Sequence, residues 1–150
     1  MESHDLPSRG RFVGREHRFP VRIYFEDTDL SGVVYHANYL RFMERARSDM
    51  LAAAGIDQRG AWEAGDGVYV VADLHIRFRR PAKLDDELVV VSTLEKVTAA
   101  SATIHQRVML NREVLTDATV LAAFVAPNGG KPRRQPRAWL TVFEGLLEEH

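Results

Sequence analysis

The chain is 150 residues long, 45% hydrophobic and 27% charged, with a formal net charge of -1 at pH 7. That length predicts one domain with enough apolar material for a core, and a charge so near zero supplies no field favouring nucleic acid or an anionic membrane. Cysteine is absent, which excludes a disulfide scaffold, Cys-ligated zinc and a thiol nucleophile, and is compatible with the cytoplasm, the expected location.

In chain order, Met1 to His17 mixes charge with Gly, Pro and Ser and has no apolar core of the signal-peptide kind. Residues 1–17 therefore read as a flexible tail and 18–150 as a single domain. No apolar run approaches transmembrane length. Phe19, Val21, Ile23 and Phe25 alternate with polar positions and predict a half-buried strand. An acidic turn follows. Tyr39, Phe42, Met43, Ala46, Met50 and Ala53 then recur at helical spacing, and Gly55 supplies the stop.

Residues 56 to 67 read as a loop with a short helical piece around Trp62. Four long strands are predicted next, at Val68 to Arg80, Glu87 to Thr98, Ser101 to Asn111 and Val114 to Ala126. In the first, Val68, Val70, Ala72, Leu74, Ile76 and Phe78 are expected to share one face, with Arg77 and Arg79 on a polar one. Asn111-Arg112 suits a hairpin turn, because Asn tolerates positive φ. A loop from Pro127 to Arg137 leads to a last amphipathic segment. The pattern predicts an α+β protein, a five-stranded antiparallel sheet with one long helix laid on one face. Its open sheet edges predict association, as a homodimer or homotetramer.

The stretch Glu26-Asp27-Thr28-Asp29-Leu30-Ser31-Gly32-Val33-Val34-Tyr35-His36-Ala37-Asn38-Tyr39 carries the chemistry. Three carboxylates and a glycine turn stand just before a helix. A carboxylate can activate a reactant there while helix N–H groups hold developing negative charge. The competing reading is that the acids only cap the helix. Glu26 and Asp27 suit a structural job, pairing Arg41 or Arg45.

This segment, continued through Leu40-Arg41-Phe42-Met43-Glu44-Arg45-Ala46-Arg47, resembles the hotdog-fold acyl-CoA thioesterases of the 4-hydroxybenzoyl-CoA type. Within them it is most similar to the Tol-Pal system-associated group. The resemblance spans roughly Phe19 to Ala126. It implies hydrolysis of acyl-CoA to free acid and CoA, with no metal or organic cofactor, the thioester being the substrate. It puts the catalytic carboxylate on Asp29, as general base or nucleophile, and the oxyanion donor on the backbone N–H of His36. It implies that Gly32, Val33, Tyr35, Asn38 and Tyr39 line the substrate site, although Tyr39 and Phe42 also suit a core and Asn38 a local hydrogen bond.

For the CoA phosphates the cationic candidates are Arg79, Arg80 and Lys83, or Arg133 and Arg134 of the Gly129 to Arg137 loop. In the 4-hydroxybenzoyl branch, basic residues after the third strand meet the nucleotide, but Thr98-Ala99-Ala100 offers none. Acyl carrier protein or phospholipid enzymes are further expected partners. Three alternatives stay open: a non-catalytic acyl-CoA or acyl-carrier-protein scaffold of the same fold, a hard-cation site built from Glu26, Asp27, Asp29 and His36, and a hydratase, whose differently placed Asp-His pair has no signature here.

Overall fold

A computed structural model describes residues 2–147. The strands β1 (Arg11–Val13), β2 (Glu16–Arg22), β3 (Val68–Phe78), β4 (Glu87–Val97), β5 (Ser101–Leu110) and β6 (Glu113–Val125) form one sheet in the order β1-β2-β4-β5-β6-β3. Every neighbouring pair is antiparallel. The helices are α1 (His36–Ala53), α2 (Gln58–Glu63) and α3 (Arg137–Leu146). The α+β class and the single long helix agree with expectation, and the strand count is six rather than five.

The extra strand corrects the expected boundary of the tail. Phe12 and Val13 pair with His17 and Glu16 across a two-residue turn at Gly14-Arg15, where Gly14 takes φ +60°. The hairpin is then held from inside. His17 is fully buried, its Nε2 lies 2.7 Å from Asp49 Oδ2, and the Gly10 N–H donates to the same oxygen at 3.0 Å. A mixed-polarity segment thus joins the sheet through a buried His17–Asp49 hydrogen bond together with the packing of Phe12 on the core. At its other end the strand stops at Arg22, so Phe25 falls in a 3-10 turn and is 81% exposed instead of sharing the face of Val21 and Ile23.

Helix α1 buries Tyr39, Phe42, Met43, Ala46, Met50 and Leu51 against the sheet, while Ala53 is exposed. It ends as Gly55 at φ +82° permits: Gly55 N–H donates to Ala52 O and Ile56 N–H to Leu51 O, satisfying last-turn carbonyls that would otherwise be orphaned. One polar network crosses the core beneath the helix. Gln106 donates to Met43 O and Ser92 Oγ, each at 3.0 Å, and accepts from Arg47 Nη1 at 2.9 Å. Burial, only partly offset by Glu44, lowers the Arg47 pKa.

Strand β3 departs from a single alternation. The register slips at Ala72, between Val71 and Asp73. Before this bulge Tyr69 packs inward, against Phe124 and Trp139; after it Ile76 does. One inserted residue reverses the faces, as period-2 geometry requires. As the sheet edge, β3 leaves Val70, Val71, Leu74 and Phe78 36–50% exposed. The face of the sheet away from α1 is polar, with His105 Nε2 at 2.6 Å from Asp117 Oδ1.

Candidate active site

The acidic segment is built from its fixed end outward. Asp27 is buried, its Oδ2 accepts Tyr24 N–H at 2.9 Å, and its Oδ1 accepts the Asn38 side-chain amide at 3.0 Å. Its carbonyl also accepts Tyr35 N–H at 2.9 Å. Asp27 therefore ties the loop to the first turn of α1, and among the described residues neither Arg41 nor Arg45 pairs with it. From there the two arms of the loop run side by side. Thr28 pairs with Val34, and Asp29 N–H donates to Val33 O at 2.9 Å. The second arm is clamped to the stretch before β4 by a Val33–Lys83 bridge and by Val34 N–H donating to Ala82 O at 2.8 Å.

Asp29 stands at the tip of this ladder with an exposed side chain. Its Oδ1 accepts both the hydroxyl and the N–H of Ser31, the latter at 2.8 Å. The hydroxyl bond first, and the backbone bond after it, hold the Asp29 carboxyl below the ordinary carboxylate range, because both favour the ionised form. Gly32 N–H closes the turn on Asp29 O at 3.1 Å. Gly32 adopts φ +83°, and a Cβ there would meet nothing within 4 Å. Glycine is required by backbone conformation, not by space.

His36 opens α1. Its N–H and that of Ala37 have no intrahelical acceptor and sit at the positive end of the helix dipole. The imidazole rests on Tyr35, with centroids 4.5 Å apart, and meets Phe78 edge-on at 6.0 Å. The arrangement presents an ionised carboxylate on one arm of a clamped loop and unused helix N–H donors where the other arm ends. Chemically, that pairs a base or nucleophile with a place for an oxyanion.

The other expected site residues divide. Gly32, Val33 and Tyr35 belong to the loop. Asn38 spends its amide on Asp27. Tyr39 is 3% exposed, and its hydroxyl accepts Ala82 N–H at 2.9 Å, so it anchors the segment that clamps the loop. Lys83 lies beside Val33. Arg79 and Arg80 are engaged by Asp117 at 3.6 Å and Glu113 at 2.7 Å. Arg133 and Arg134 lie at the opposite end of β3, where Arg133 N–H donates to Phe124 O. Among the described residues no three His, Cys, Asp or Glu side chains gather as a cation site; Glu26, Asp27, Asp29 and His36 do not form one. Ser31 was missed, although the Asp-x-Ser spacing of an Asx-type turn signals it. No described helix is long and apolar enough to cross a membrane.

A long helix wrapped by an antiparallel sheet, with a clamped acidic loop at the helix N-terminus, defines a hotdog-fold protein. Residues 31–116 match the family model of the thioesterase superfamily. The chain is 41% identical over 128 residues to the acyl-CoA thioesterase YbgC of Haemophilus influenzae, covering 85% of this chain and 94% of that one. It is 38% identical to the acyl-CoA thioester hydrolase YbgC of Escherichia coli O6:H1, with 85% and 95% covered. A probable thioesterase from Bartonella henselae superposes with a TM-score of 0.76 at 36% identity, over 81% of this chain and 99% of that one. The chain belongs to the thioesterase superfamily.

Proposed function

We propose that this protein hydrolyses acyl-CoA thioesters to the free acid and CoA, with Asp29 and the N-terminus of α1 as its reacting groups. One observation carries the reading: the Asp29 carboxylate, kept ionised by Ser31, shares a single clamped loop with the free N–H groups of His36 and Ala37. The names borne by the YbgC relatives support the substrate class. In the general-base route, Asp29 takes a proton from water as the water oxygen bonds to the thioester carbon. The carbonyl oxygen becomes an oxyanion held by the helix N–H donors. Collapse breaks the C–S bond, and the proton passes to the departing thiolate. In the nucleophilic route the carboxylate bonds to the thioester carbon and the C–S bond breaks, releasing the CoA thiolate and leaving an anhydride, which water then opens to two carboxylic acids. Neither route requires a metal or organic cofactor.

The loop is open to solvent in one chain, and the exposed apolar edge of β3 runs up to it through Phe78. We infer that two copies pair along β3, joining their sheets and covering each loop; the protein works as a homodimer or larger homo-oligomer, in the cytoplasm, with acyl carrier protein or phospholipid enzymes as further partners. The test of the activity is thiol release from short, long and aromatic acyl-CoAs. Turnover of at least one class supports the reading. Binding without thiol release would establish the scaffold alternative instead.

A further inference from the structure

At the end of β3 away from the Asp29 loop lies a groove of about 310 Å³ lined by Trp62, Tyr69, Phe124, Trp139, Arg59 and Val68, among others. Its floor is rigid. Tyr69 and Trp139 stack with centroids 6.0 Å apart, and Phe124 meets Trp139 edge-on at 5.5 Å. Its lip is Trp62, 60% exposed and without a ring partner among the described residues. It is carried on α2, whose first turn Asp57 caps through Gly60 N–H.

The Lys131 to Arg137 loop is tied to two of the residues that line the groove, Tyr69 and Phe124. Arg133 N–H bonds Phe124 O, Arg133 Nη1 reaches the carbonyls of Gly65 and Asp66, and the Gln135 side chain accepts from the half-buried Tyr69 hydroxyl. Among the described residues Lys131, Arg133, Arg134 and Arg137 form no ion pair with a carboxylate. Flat aromatic faces near cations that have no carboxylate partner among the described residues match a planar heteroaromatic ring bearing phosphates. A plain acyl chain is better served by the neighbouring cleft between α1 and β3, walled by Met50, Leu51, Val70, Leu94, Ile104 and Phe143.

We propose that this groove is a nucleotide subsite, in which Trp62 and Trp139 hold the adenine ring of the CoA substrate and Lys131, Arg133 and Arg134 meet its phosphates. This rests on the acyl-CoA reading above. Within one chain the groove is about 33 Å along β3 from Phe78, taking ten residues at 3.3 Å each. Antiparallel pairing of two β3 edges brings the groove of one copy to the same end of the joined sheet as the Asp29 loop of the other, so the subsite serves the partner's reaction centre.

The chain has two tryptophans, Trp62 and Trp139, and both line the groove, so emission reports on it directly. Titration with adenosine 3′,5′-bisphosphate is expected to change emission saturably, and R133Q/R134Q to weaken that binding about tenfold at low salt. Trp62→Ala is expected to lower kcat/KM for acyl-CoA, relative to the matching acyl-N-acetylcysteamine thioester, by roughly tenfold through KM, with Trp62→Phe restoring most of it. No saturable emission change, or a parallel loss on both thioesters, overturns the subsite. If the bisphosphate binds but the wild-type protein hydrolyses neither thioester, the hydrolase reading fails and the subsite stands.

Discussion

At Asp29 the decisive neighbour is Ser31. Its hydroxyl and N–H both donate to Oδ1, and each bond favours the charged carboxylate. The direction has a kinetic consequence. Asp29 protonates below the usual carboxylate range, so the carboxylate proposed as base or nucleophile is charged throughout neutral and mildly acidic pH and is lost only as pH falls through the lowered value. Ser31→Ala removes the larger of the two stabilising bonds. The acid limb of kcat/KM against pH is expected to move upward in that variant, with turnover near pH 8 much less affected. An unmoved limb would mean that another group sets it. Asp27, one rung away, shows why the acidic run was readable only in part. Three carboxylates in four residues mark a special turn, but which is structural depends on Asn38 and Tyr35 arriving from the far side of the loop. Likewise, Tyr39 is a core residue because a backbone N–H from Ala82, 43 positions away, needs its hydroxyl.

Among the elements, α1 was legible because an apolar stripe at 3.6 spacing and a glycine stop are local signals. The reading exchanged Leu51 for Ala53 at the fraying end, where the Schellman turn redirects the chain. Strand β3 was legible as a strand but not in its faces. The bulge at Ala72 depends on the register with β6, and no local pattern reports it. Hairpin β1–β2 was missed for a related reason: its anchor is a buried His17–Asp49 pair 32 residues apart. The exposed edge of β3 makes a prediction at this scale. Val71→Lys sets an ammonium on an edge that is proposed to meet its own copy, where like charges repel. Sedimentation should show the wild-type protein as a dimer or larger and the variant shifted toward monomer, with reduced turnover. A wild-type monomer with full activity would contradict the pairing.

For the whole molecule, stability is expected to depend on pH through His17. Burial lowers its pKa below 6.5, and the hydrogen bond to Asp49 only partly offsets that. The folded state thus binds the proton less readily than the unfolded chain. The stabilising contribution is full above about pH 6.5 and is lost as pH falls through the lowered folded value. Thermal melts should show stability falling between pH 7 and 5 in the wild-type protein and falling less in His17→Gln, whose side chain does not titrate; equal slopes would remove His17 as the cause. The proposed chemistry depends on one carboxylate, Asp29, sharing a loop with one helix end. The most direct test is Asp29→Asn, assayed by thiol release alongside a melt. The account predicts a loss of about 10²–10⁴-fold in kcat with a thermal melt close to that of wild type, as for an exposed side chain. Near wild-type turnover in a folded Asp29→Asn protein would contradict it.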